Sequence, residues 1–155
     1  MKLHRLFFFS FLFLSFSSYA QNTPQEYDDY YAQMDKLIKD YRTFKNSEFY
    51  KNIEKECDDF TKKLGDGCPY PPNMEGLSGT IIIPFELNDW IKDNLEKTAY
   101  KSYDEAVAAI AAIKSKSQAV SMAAFPFISK ATMTSKKYKG FFSEFIREAN
   151  NPYAQ

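Results

Sequence analysis

A small, mainly α-helical bundle of about five helices with one disulfide is the fold this sequence predicts, and three observations predict it. Apolar residues recur at steps of three and four through residues 27–44, 49–64 and 138–149, so each stretch carries one continuous helical face. Two capping boxes, Thr23-Pro24-Gln25-Glu26 and Ser102-Tyr103-Asp104-Glu105, mark helix starts. The chain holds two cysteines, Cys57 and Cys68, an even number that reads as one bridge in an oxidising compartment. The alternative is an α+β fold with a short strand pair at 81–83 and 120–127.

The chain opens with a segment expected to be absent from the working protein. Lys2 and Arg5 precede an apolar run from Leu6 to Phe16, broken only by Ser10 and Ser15, and Ser18-Tyr19-Ala20 places small residues before Gln21. That is the three-part pattern of a secretory signal peptide cleaved after Ala20. The apolar run is shorter than the roughly 20 residues a spanning helix needs. No Cys follows it for a lipid anchor. The expectation is therefore residues 1–20 as signal peptide and 21–155 as a single exported helical domain, periplasmic or secreted, with no stable membrane insertion after the signal is removed.

The first helix begins at Pro24 behind Thr23. Its apolar stripe runs through Tyr27, Tyr30, Tyr31, Met34, Leu37, Ile38, Tyr41 and Phe44 and reads as core packing. Asp28 and Asp29 near its start, and Lys39, Arg42 and Lys45 near its end, suit the helix dipole. A second helix starts at Asn46 or Ser47, shows Phe49, Ile53, Cys57, Phe60 and Leu64 on its inner face, and stops at Gly65.

Residues 65–80 then break all periodicity. Four of the chain's five glycines and three of its seven prolines fall there, so turn chemistry predicts a loop. Ile81–Ile83 is β-branched and reads as a short strand. Pro84 opens a helix with Leu87, Trp90, Ile91 and Leu95, and the Ser102 box opens an alanine-rich one through Val107, Ile110 and Ile113. Residues 118–127 are ambiguous, and Pro126 is expected to stop either state. The last helix is expected from Thr134 or Ser135, with Tyr138, Phe141, Phe142, Phe145, Ile146 and Ala149 on its apolar face. Leu37 and Phe145 are expected in the core.

Composition excludes several chemistries. The single histidine of the 155 residues is His4, inside the signal segment. A mature chain without histidine has neither a Ser-His-Asp nor a Cys-His nucleophile, and none of the zinc sites that use histidine. Lys2 and Arg5 leave with the signal, so 18 of the 20 basic residues remain against 20 acidic ones. A net charge of about −2 makes no case for nucleic acid.

What remains for catalysis is a carboxylate pair of the glycosidase kind, from Glu48, Asp58, Asp59, Glu75, Glu86 and Asp89, none at a diagnostic spacing. Calcium wants clustered oxygen ligands, and Asp66, Asn73 and Glu75 are too sparse; no metal and no cofactor is expected. Lys130, Lys136, Lys137 and Lys139 surround Tyr138 as a basic patch, either a solvated face or a contact for an anionic surface.

The loop 65–80 is the remaining candidate site. A bridge from Cys57 to Cys68 would tether it to the second helix and contribute roughly 3 kcal/mol in the chain-entropy model; two free thiols or half of a metal site are the alternatives. Stiffened by prolines, it offers Asp66, Tyr70, Asn73, Met74 and Glu75 to a partner, with aromatic and thioether groups as anchors. The chain is similar in broad type, through no particular motif, to small exported bacterial proteins that bind and inhibit a periplasmic partner. Immunity proteins against secreted cell-wall-degrading toxins are of that type, commonly with a signal peptide, a small helical body, a disulfide and no catalytic set. The likeness implies a non-enzymatic inhibitor whose partner is another exported protein. A small glycan hydrolase using paired carboxylates, or a helical carrier of an apolar ligand, are the alternatives.

Overall fold

In a computed structural model the described residues are 24–151. The expected signal segment and its cleavage site lie outside them. The elements run α1 (Pro24–Lys45), α2 (Glu48–Leu64), β1 (Asn73–Glu75), β2 (Thr80–Ile82), α3 (Leu87–Asp93), a 3₁₀ turn (Leu95–Lys97), α4 (Tyr103–Thr134) and α5 (Phe141–Ala149). The described residues are mainly helical, with five helices and one small antiparallel two-stranded sheet among them.

The chain divides into two units between Gln33 and Met34. In the first, residues 24–33 form the opening turns of α1. None of them is buried, so Tyr27 and Tyr31, expected as core, are exposed. Tyr30 and Tyr31 meet edge to face at 5.3 Å, and the Gln33 amide donates to the Asp29 carbonyl.

In the second unit the stripe of α1 becomes a true core face at Met34, Leu37, Ile38 and Tyr41. Tyr41 meets Phe127 and Phe145 edge to face, at 5.7 and 5.6 Å, an arrangement that adds to their burial. Phe44 joins this aromatic group to Tyr50 of α2, at 5.4 Å. Leu37 and Phe145 are both fully buried, as expected.

Ser47 caps α2: its hydroxyl accepts from the Tyr50 amide at 3.3 Å. Tyr50, Ile53, Cys57, Phe60 and Leu64 turn inward, whereas Phe49, expected inside, is exposed. Gly65 ends the helix at φ +82, and a Cβ there would lie 3.0 Å from the Lys97 carbonyl oxygen.

Ser102 caps α4 by accepting from the Glu105 amide, and the Glu105 carboxylate accepts from the Lys101 amide. This helix corrects two expectations. It runs unbroken through Pro126 to Thr134, so residues 120–127 are helical and β2 pairs instead with β1, in the register Asn73↔Ile82, Met74↔Ile81, Glu75↔Thr80. Pro126 deprives the Met122 carbonyl of its helical donor, but it sits on the exposed side where water can replace that donor. Val120, Ala124 and Ala131 are buried opposite and hold the helix on both sides of the proline.

The last helix starts later than expected, at Phe141. Residues 135–140 form turns, and Gly140 adopts φ +88, which a non-glycine side chain resists. Tyr138 is buried, as expected, but before the helix rather than within it.

Candidate functional site

The second half of the 65–80 stretch is a hairpin that the helices hold in place. Gly76 and Gly79 supply φ +68 and +60 at the turn between β1 and β2. Leu77 at the tip is buried, and its carbonyl accepts a 2.9 Å hydrogen bond from the Tyr41 hydroxyl of α1. The Ile81 amide donates to Ser117 Oγ of α4 at 2.8 Å. Thr80 Oγ1 and Ser121 Oγ share a bond of 2.9 Å, and Thr80 also bonds Ser78 at 2.6 Å. At Gly79 the backbone lies close against the helices: a Cβ there would fall 2.6 Å from Val120 Cγ1 and 3.0 Å from Tyr50 Cε2.

This attachment sorts the five candidate residues. Tyr70 and Met74 are half-buried and pack against the core cluster of α2, β2 and α4. Asp66, Asn73 and Glu75 are exposed. Asn73 Nδ2 donates to Glu75 Oε1 at 2.8 Å, so these two side chains orient one another. The outward chemistry of the hairpin is therefore an amide–carboxylate pair beside the exposed Ile82, the cross-strand partner of Asn73, with Asp66 on the turn that follows α2.

The two cysteines are free thiols in this structure, Cys57 buried in α2 and Cys68 half-buried, and the expected bridge is not shown. Burial pushes both thiols up, with the Asp58 carboxylate adding at Cys57 and a backbone hydrogen bond at Tyr70 opposing at Cys68. Protonated thiols are poor nucleophiles.

Among the described residues no group of three or more Cys, Asp or Glu side chains is placed to hold a metal ion. The six carboxylates that a glycan hydrolase would draw on sit on α2, β1, α3 and the residue before α3, and none is buried. Burial is what raises a carboxyl into the range of a general acid.

Two clefts escape a sequence reading because each joins distant segments. One, of about 870 Å³, is lined by Asp35, Lys39 and Arg42 of α1 and by Glu148 of α5, where the Arg42 guanidinium donates to the Glu148 carbonyl at 3.2 Å. The other, of about 220 Å³, lies between α2 and α4 and is lined by Glu56, Asp59, Lys63 and Tyr100 over Phe60 and Ile113. The Tyr100 hydroxyl is buried with no hydrogen-bond partner among the described residues. Burial pushes its pKa up to about 12, with the Glu105 charge adding.

Comparison with protein-family models, curated proteins and solved structures finds no match to the chain.

Proposed function

We propose that this chain is an exported, non-enzymatic binding protein, most concretely an inhibitor or immunity-type protein that blocks a secreted cell-wall-degrading toxin. The observation that carries the reading is the hairpin at 73–82. Its inner side is fixed by Tyr41, Ser117 and Ser121, so its outer side is presented without further ordering. A binding element ordered in advance loses less entropy on association. Asn73, Glu75 and Asp66 are the polar contacts in this proposal, and the exposed halves of Tyr70 and Met74 supply apolar area beside them. Cleavage after Ala20 and a Cys57–Cys68 bond in the exported form belong to the same proposal. Alkylation without reduction should then find no reactive thiol in the exported protein.

The test is capture of the partner from an exported-protein extract, read by mass spectrometry, with the parent chain and an Asn73→Ala/Glu75→Ala variant side by side. Both substituted side chains are exposed, so the variant should melt within a few degrees of the parent while partner capture falls at least about tenfold, a loss of roughly 1.4 kcal/mol. Equal capture by the two proteins places the interface elsewhere.

A further inference from the structure

From Val107 onward, helix α4 has a solvent-facing line without charge. Helical phase puts Val107, Ala111, Ser115, Gln118, Met122, Phe125, Ser129 and Met133 along one line, opposite the buried Ala106, Ile110, Ile113, Ser117, Val120, Ala124 and Ala131. From Val107 to Met133 this line extends about 39 Å at 1.5 Å per residue. Three large apolar side chains stand out from its C-terminal half: Met122, Phe125 and Met133 are 70%, 63% and 65% exposed. The solvent face of a helix in a water-soluble fold is ordinarily charged or polar.

Beyond Glu105, α4 and the turn that closes it contribute charge of one sign only. Between Glu105 and Glu144 the sequence has six lysines and no acidic residue, within a chain of net charge zero. Lys116 is paired with Glu56 of α2, and Lys130 lies near enough to Asp40 of α1 to lower its pKa. Lys114, Lys136 and Lys139 form no ion pair among the described residues. Lys136 and Lys139 follow Met133 in the turn that closes the helix, beside Lys137, whose ammonium lies 4.6 Å from the centre of the Tyr138 ring.

We propose that this face docks on a bilayer surface bearing anionic headgroups. Phe125, Met122 and Met133 enter the boundary between headgroups and acyl chains, and the lysines beside and beyond them meet the phosphates. The contact is peripheral, since no described helix is long and apolar enough to cross a membrane. The observations favour a bilayer over two other occupants. A partner protein needs a shaped counterpart, and this face is a convex ridge of small residues with three flexible or flat side chains at one end. A second copy laid along the same ridge would bring like-charged lysines together on both flanks. The proposal is independent of the hairpin, which attaches to the other side of α4 through Ser117 and Ser121.

The test is co-sedimentation of the full chain with vesicles of phosphatidylglycerol and phosphatidylcholine, against vesicles of phosphatidylcholine alone, at low and at physiological salt. Binding to the anionic vesicles should exceed binding to the neutral ones by about tenfold or more and should weaken as salt screens the lysines. Met122→Ser/Phe125→Ser should reduce it about tenfold with an unchanged circular dichroism spectrum, and Lys136→Gln/Lys139→Gln should reduce it by a similar factor. Equal affinity for both vesicle types overturns the proposal. So does binding that the Met122/Phe125 variant leaves intact. A dimer in sedimentation velocity that the same variant dissolves, with no vesicle binding, would assign the face to a second copy and overturn it as well.

Discussion

The hairpin at 73–82 and the outer face of α4 are opposite in character. The hairpin comes from a glycine- and proline-rich stretch with the composition of a mobile loop, yet it buries Leu77 and Ile81 and three side-chain hydrogen bonds fasten it to α1 and α4. The α4 face comes from an alanine-rich helix with the composition of a core element, yet it turns Met122, Phe125 and Met133 to solvent. Composition names the local conformation a segment can adopt. It does not say which side of that segment the remaining chain will cover.

Substitutions on the two sides of this contrast should differ by an order of magnitude in their effect on stability. Phe145→Ala removes a fully buried ring that touches Tyr41 and should cost about 3–5 kcal/mol by urea denaturation. Gly79→Ala attacks a close approach of the hairpin to α2 and α4. Its φ of +60 and the 2.6 Å contact with Val120 add backbone strain to overpacking, for an expected loss of about 2–4 kcal/mol. If Gly79→Ala is neutral, the hairpin does not rest on α4 as described.

Ser117→Ala strips the Ile81 amide of its acceptor. A buried donor left unpaired should cost about 1–3 kcal/mol, a smaller effect than Gly79→Ala and still well above surface changes. Met122→Ser, in the same helix but on its outer side, should change stability by less than about 0.5 kcal/mol in the same titration. A large loss there would mean that the α4 face is packed against other parts of the chain.

Much of the fold was legible because local chemistry and tertiary packing agree. Ser47, Gly65 and Ser102 begin or end helices where their types demand, and the stripes ending at Leu64 and Ala149 are core except at Phe49 and Ile146. The misreadings share a cause. Pro126 carries a local stop signal that packing on the far side of the helix overrides. Gly140 carries a local start signal for α5 that the run of lysines before it obscures. The strand partner of Ile81 lay hidden inside a stretch that turn chemistry assigned to a loop.

At the candidate site, sequence pointed to the right segment and not to its anchors. Ser117 interrupts an apolar face made by Ile113, Val120 and Ala124, and that interruption is the one sequence sign of a buried acceptor awaiting a backbone amide. Tyr41 gave no such sign, since a tyrosine within an aromatic stripe reads as packing alone. The clefts at Arg42 and Tyr100 join segments more than 35 residues apart and leave no pattern in the linear chain.

The claim on which the contrast rests is that the hairpin is a fixed part of the fold, and amide hydrogen exchange at Ile81 tests it most directly. Held by Ser117 Oγ and buried beneath β1 and α4, this amide should exchange as slowly as those of core residues in α2 such as Phe60, and Ser117→Ala should release it selectively. Exchange at Ile81 at the rate of an unstructured loop, in a protein whose α2 amides stay protected, would contradict the account.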